Sequence, residues 1–258
     1  MSTILLEVQQ QVGIIRLNRP EKFNAFNREM ALLLQKRLDE VAEDPEVRAI
    51  YLTGNGKAFS AGQDLGEVTG VDPVPFTKIL SEHYNPIITR MRHLRKPIVC
   101  AVNGVAAGAG ANIALSADIV VAHENANFIQ AFSKIGLIPD SGGTFFLPRL
   151  IGFQRASALM MLGEKLSAAE AERIGMIYKY YSETDFLTSS MDLAKQLAQM
   201  PTRALALTKK ALNNSMHNNL EQQLLEEDRL QFKAAQTSDY AEGIEAFMQK
   251  RTPNFTGK

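Results

Sequence analysis

The chain has 258 residues, 45% of them hydrophobic and 22% charged, with 28 basic side chains against 28 acidic ones. That length supports one large core, or a core with a small appendage, and the charge balance excludes the global basic field of a nucleic-acid-binding protein, so any anionic partner must be held by a local cluster. One cysteine, Cys100 in the apolar run Pro97–Val102, reads as core rather than disulfide or metal ligand, and the absence of an apolar leader or of ~20 consecutive apolar residues argues against a membrane partner and makes the cytoplasm the expected location.

Alternating apolar residues at Ile4, Leu6 and Val8, then Val12, Ile14 and Leu17, predict an antiparallel opening pair of strands. Asn18-Arg-Pro-Glu breaks that pattern. From Asn27, the expected N-cap, Met30, Leu33, Leu34, Leu38 and Val41 take up the three- and four-residue spacing of an amphipathic helix. Short β-rich runs recur at Ala49–Thr53, Ile98–Val102 and Ile119–Ala122, separated by loops and helical segments. The alternation predicts an α/β fold and leaves a doubly wound sheet and a stacked β-β-α spiral both open. After Ile151 the pattern turns helical. Ser167-Ala-Ala-Glu170 reads as a capping box with Gly175 as the stop, and helices are expected over 187–200, 205–212, 220–234 and 239–249, broken at Pro201. An all-helical tail of about 60 residues cannot easily bury itself, which points to oligomerisation.

Two segments carry the chemistry. Asn103–Asn112 reads Asn-Gly-Val-Ala-Ala-Gly-Ala-Gly-Ala-Asn, and Gly136-Leu-Ile-Pro-Asp140-Ser-Gly-Gly143 follows it. Small residues between a buried strand and a helix leave unpaired N–H groups aimed at a bound oxygen, although a close strand–helix contact would use the same residues. Asp140 is the only acid in either segment; taken alone, it reads as a helix N-cap ahead of a catalytic base. His83, His93, His123 and His217 show no metal or triad spacing. Arg90–Lys96, a basic stretch before Pro97, reads as a solvated helix end.

Asn18-Arg-Pro-Glu-Lys-Phe-Asn-Ala25, Ala58-Phe-Ser-Ala-Gly-Gln-Asp-Leu65, the Asn103–Asn112 run and Gly136–Thr144 resemble, in order and spacing, the crotonase (enoyl-CoA hydratase/isomerase) superfamily over essentially the whole chain. The resemblance implies a spiral of β-β-α units in a catalytic core over 1–200 and a helical trimerisation domain over 201–258, assembled as homotrimers or hexamers. It implies an acyl-CoA thioester substrate, with no metal and no cofactor beyond the CoA that the substrate carries. It places the thioester oxygen between the backbone N–H groups of Gln63 and Ala109. Lys22, Ala25, Ala61, Asp64 and Leu65 fall where the family holds substrate or CoA, and a neighbouring subunit's C-terminal lysine such as Lys250 would reach the CoA phosphates. For Asp64 the alternative is a hydrogen bond within its own loop.

The departures from the pattern define the reaction class. Hydratases resembling this chain carry one Glu at the position of Asn112 and another at that of Phe132, and the pair activates water; neither Asn nor Phe can do so. Asp140 falls where dienoyl-CoA isomerases resembling this chain carry a catalytic Asp. One carboxylate can move a proton between two carbons without water, and burial near Phe132, Phe145 and Phe146 would raise its pKa and improve it as a base. Phe132 is also expected to line the acyl pocket. Stretches at Tyr84–Pro86, Cys100–Ala111, Ala131–Asp140 and Lys250–Lys258 resemble the branch that converts ring-1,2-epoxyphenylacetyl-CoA to its oxepin. An aliphatic Δ3,Δ2-enoyl-CoA isomerase and a non-catalytic acyl-CoA-binding subunit are the alternatives.

Overall fold

In the computed structural model, which describes residues 2–69 and 73–258, β1 (Ile4–Gln9) and β2 (Val12–Leu17) pair antiparallel, with Ile4 opposite Leu17. Helix α1 (Arg28–Glu43) starts at Asn27, whose side chain accepts from the Met30 N–H. Three times thereafter the chain lays one strand in a larger sheet, one in a smaller sheet, and then turns helical. β3 (Ala49–Gly54) and β4 (Ala58–Ser60) are followed by α2 (Gly66–Thr69), α3 (Phe76–Lys78), a π-helical segment over Ile79–Tyr84 and α4 (Asn85–His93). Next, β5 (Ile98–Val102) and β6 (Val105–Ala107) lead into α5 (Ala109–Leu115). β7 (Ile119–His123) and β8 (Asn127–Ile129) lead through a 3-10 turn at Ala131–Ile135 into α6 (Gly143–Ile151) and α7 (Phe153–Leu162). β9 (Lys165–Ser167), α8 (Ala168–Arg173), β10 (Lys179–Tyr181) and α9 (Phe186–Ala198) complete the layers. The larger sheet has the order β1-β2-β3-β5-β7-β10 and the smaller β4-β6-β8-β9, so the β-β-α spiral is the architecture adopted.

The central strands of the larger sheet are buried on both faces, which is why they are unbroken apolar runs. Ile15, Leu17, Ile50, Leu52, Ile98, Cys100 and Val102 point into the main core. Their alternates Val12, Ile14, Ala49, Tyr51, Val99 and Ala101 pack under α9. Phe186, Ser190, Ala194 and Ala198 repeat every four residues along α9, and these mostly small side chains let the helix lie close to the sheet. The Tyr51 hydroxyl finds the Ser190 hydroxyl at 2.8 Å, so the buried phenol is not left unpaired.

Two sequence expectations need correction. Only half of the Ser167–Glu170 box forms: the Ser167 hydroxyl accepts from the Glu170 N–H, but the Glu170 carboxylate turns to Arg173. The basic stretch Arg90–Lys96 is not a solvated helix end throughout. Lys96 donates to the carbonyls of Val41 and Asp44 at the end of α1, and Arg92 to that of Ser116 at the end of α5. Unpaired carbonyls and the negative end of the helix dipole attract cations, and here they draw two of them below the surface.

Helices α10 (Thr202–Ser215), α11 (Leu220–Ala234) and α12 (Ser238–Gln249) form the tail. Asn219 and Gln222 make a complete capping box at the start of α11. The C-terminal strap is tied back to the body: buried Asp239 accepts from the N–H groups of Thr256 and Gly257, and Arg48 donates to the Phe255 carbonyl. Leu224, Leu225, Phe232, Phe247 and Met248 remain exposed.

Candidate active site

Gln63 sits just beyond β4, in an isolated parallel bridge with Phe26. Phe26 N–H donates to the Gly62 carbonyl and Asp64 N–H to the Phe26 carbonyl, so the N–H of Gln63 faces the opposite edge, toward β6. Ala109 is the first residue of α5, where an N–H has no partner within the helix. Among the described residues neither N–H has an acceptor. A glycine is required where the two loops meet: at Gly62 (φ 88°) a Cβ would lie 2.8 Å from the Ala107 carbonyl oxygen and 3.4 Å from the Ala109 nitrogen. Two free donors thus lie on adjacent loops, one of them strengthened by the start of a helix.

Asp140 lies in the turn before α6. Its carboxylate accepts from the Ser141 hydroxyl at 2.8 Å and does not cap α6, whose N-cap is Gly142. Burial raises the Asp140 carboxyl above its ordinary 3.8, and the Ser141 hydrogen bond offsets part of that rise. A partly desolvated carboxylate with a single neutral partner is a stronger base than one in water. If the ionised form is the active one, activity falls as pH drops through this raised value. Ser141→Ala, which removes the bond to the charged form, is expected to move the acid limb of the kcat/KM profile to higher pH while leaving the plateau near its original height. An unmoved limb would show that the titrating base is another group.

Asn112, where the resemblance leads one to expect a hydratase glutamate, does structural work. It is fully buried on α5; its NH2 donates to the backbone carbonyl of Asp140 and its oxygen accepts from Gln130 Nε2, both at 2.8 Å. Gly143 presses against it, since a Cβ there would stand 2.3 Å from Asn112 Nδ2. Helix α5 therefore carries the Ala109 N–H at its first residue and the tether of the Asp140 turn one turn later. Phe132 is buried with its ring facing Gly108, where a Cβ would be 3.7 Å from the ring edge.

The remaining sequence candidates lie around the same loops. Arg19 ties them together: it donates to the Ala25 carbonyl and pairs with Asp64 at 3.0 Å. Asp64 also accepts from the Gly66 N–H. Burial would raise its carboxyl, but the Arg19 and Gly66 bonds hold it below the ordinary value. Asp64 thus has the loop bond considered from sequence and an ion pair that sequence did not suggest. Ala61 and Leu65 are exposed beside the buried Gly62, and Lys22 is exposed on the 3-10 turn Pro20–Lys22. Lys250 closes α12 in a left-handed conformation and is exposed. Tyr84 is a site residue whose part was missed; its hydroxyl donates to Gln63 Oε1 at 2.7 Å.

A cavity of about 1190 Å³ lies elsewhere, among α4, α10 and α11. Arg92, Lys96 and Lys209 in its wall are occupied by carbonyls at helix ends and by Asp118, and it includes neither Asp140 nor the two free N–H donors. Among the described residues no group of three or more His, Cys, Asp or Glu could hold a metal ion, and no helix is long and apolar enough to cross a membrane.

The sequence model of the enoyl-CoA hydratase/isomerase family matches residues 7–258. The chain belongs to the enoyl-CoA hydratase/isomerase family. It is 46% identical over 261 residues to a 1,2-epoxyphenylacetyl-CoA isomerase of Escherichia coli, covering 100% of both chains. It is 36% identical over 258 residues to a 2,3-dehydroadipyl-CoA hydratase of the same organism, covering 100% of both. The crystal structure of an enoyl-CoA hydratase from Polaromonas sp. JS666 superposes with a TM-score of 0.91 at 34% identity, covering 98% of this chain and 99% of that one. Family membership makes this chain an enzyme of the enoyl-CoA hydratase/isomerase type with the crotonase fold, and acyl-CoA binding accords with it. The family contains both isomerases and hydratases, so the reaction must be argued from the side chains.

Proposed function

We propose that this enzyme is an acyl-CoA isomerase that moves a proton through a thioester enolate, with ring-1,2-epoxyphenylacetyl-CoA as its substrate and oxepin-CoA as its product. The observation that carries this is the half-buried carboxylate of Asp140, raised by desolvation, combined with the absence of carboxylates at Asn112 and Phe132. Similarity to the Escherichia coli isomerase supports the aromatic substrate.

In the proposed mechanism Asp140 takes a proton from the carbon next to the thioester. Negative charge moves to the thioester oxygen, where the N–H groups of Gln63 and Ala109 stabilise it, at about 2.7–4 kcal/mol for one such donor. The epoxide-bearing ring opens at the carbon–carbon bond shared by its two rings, giving the seven-membered oxepin. Asp140 returns the proton to a ring carbon, and the double bond becomes conjugated with the thioester. Atoms balance, no electrons are exchanged and no water enters. An aliphatic 3-enoyl-CoA requires only the same proton transfer, from C2 to C4.

Lys22, Ala25, Ala61, Asp64 and Leu65 border the CoA channel in this proposal, and Phe132 lines the acyl pocket. We also propose that 1–200 is the catalytic core and 201–258 the segment that joins copies into a homotrimer or hexamer, which would cover the exposed apolar residues of α11 and α12 and bring Lys250 to a neighbour's CoA phosphates. Measured side by side, kcat/KM for the ring epoxide is expected to exceed that for an aliphatic 3-enoyl-CoA. The reverse order would make the aliphatic isomerase the function. Binding of both without α-proton exchange would make the chain a non-catalytic binder.

A further inference from the structure

Pro86 lies in the first turn of α4 and has no N–H for the carbonyl of Glu82. The preceding segment is π-wound, the Asn85 N–H reaching back five residues to the Leu80 carbonyl. Gln35 of α1, itself buried, donates to the Glu82 carbonyl at 2.7 Å and to that of His83 at 3.2 Å, satisfying groups that the irregular winding leaves over. Tyr84 closes this segment. It is 1% exposed, and its ring packs edge-on against Phe26 at 6.0 Å. Its hydroxyl donates to Gln63 Oε1 at 2.7 Å. The other end of the Gln63 amide donates to the Asp64 carbonyl at 3.2 Å and to Glu67 at 3.1 Å.

We propose that Tyr84 is a positioning residue for catalysis: its hydroxyl clamps the Gln63 side chain and so holds the Gln63 backbone N–H in register with that of Ala109 for the enolate oxygen. The proposal rests on the oxyanion assignment above and adds the residue that fixes one of its donors. Three features point the same way. The π-wound segment is a local irregularity with its own dedicated side-chain partner, and such turns recur at functional sites. The Gln63 amide is bonded at both ends on a half-buried loop whose backbone is tied on one edge by the isolated bridge to Phe26, which leaves the edge carrying the Gln63 N–H to be set by the side chain. The phenol also stays a donor: burial first, and the negative charges of Asp140 and Glu67 second, raise its pKa well above the ordinary 10.0.

The experiment is a double-mutant cycle read by exchange of the α-protons of phenylacetyl-CoA in deuterated water. Tyr84→Phe keeps the ring and loses only the hydroxyl; it is expected to lower the exchange kcat about tenfold with KM within about twofold. Gln63→Ala keeps the backbone N–H but removes the clamped amide, and is expected to cause a similar loss. The double variant should be no slower than Gln63→Ala alone, because both changes remove one interaction. Multiplying losses would place the hydroxyl on the substrate instead and overturn the positioning role, as would an unchanged kcat in Tyr84→Phe. Asp140→Asn, run alongside, separates the two proposals. If it still exchanges while the Tyr84–Gln63 coupling persists, the base assignment fails and the clamp stands. If it is inactive while Tyr84→Phe behaves as wild type, the clamp fails and the base assignment stands.

Discussion

Asp140→Asn is expected to lower isomerase turnover by about 10²–10⁴-fold, the range for losing a positioned general base, while leaving acyl-CoA binding within a few-fold of wild type. The amide is nearly isosteric and stays within reach of the Ser141 hydroxyl, so the turn should hold its shape. The same variant is expected to be more stable at neutral pH. Burial raises the Asp140 carboxyl in the folded protein, so the folded state holds its proton more tightly than the unfolded chain does. Its favourable contribution is therefore present at pH values below the ordinary 3.8 and is lost as pH rises through the raised folded value. Above that value the ionised group destabilises the fold, and Asn relieves the cost. The gap in melting temperature between Asp140→Asn and wild type should be largest near neutral pH and shrink on acidification. A variant both inactive and more stable has lost a group kept for chemistry. Near-normal turnover would remove Asp140 from the base role.

Ala109→Pro is expected to cost about 10²–10³-fold in turnover with the fold intact. Ala109 is the first residue of α5, the helical position that best accepts proline because its N–H has no partner inside the helix. The substitution deletes one donor and leaves the Asp140 tether at Asn112 in place. Folding would be checked by the unfolding midpoint, and turnover by α-proton exchange. Wild-type turnover in a folded Ala109→Pro protein would exclude the Ala109 N–H from stabilising the enolate.

Much of the framework was legible because of where it lies. β3, β5 and β7 are buried on both faces, and that environment selects continuous apolar runs visible in any window. β4, β6 and β8 have three residues each, too few to show a period, so the smaller sheet came through resemblance rather than pattern. Arg90–Lys96 was misjudged because charge in a sequence suggests water, whereas Arg92 and Lys96 meet the carbonyl ends of helices that converge only after folding.

In the site, the roles of Gln63, Ala109 and Asp140 follow from the family resemblance, since the residues alone leave a close strand–helix contact and a helix cap open, and Asn112 enters only as a missing carboxylate. Its structural part depends on Gln130 and on Gly143, 18 and 31 positions away, which no local pattern connects to it. Tyr84 was hidden for a related reason. Its direction is set by a π-wound segment whose sequence signal, Pro86 inside a helical pattern, marks an irregularity without saying which side chain it redirects.

The central claim is proton transfer by Asp140 without addition of water. Its most direct test is turnover of a 3-enoyl-CoA by the pure protein in deuterated water, following conjugated product, hydrated product and the position of deuterium, with Asp140→Asn beside it. The account predicts conjugation with deuterium incorporated, no hydration, and loss of both conjugation and exchange in the variant. Rapid hydration, or conjugation that survives in Asp140→Asn, would contradict it.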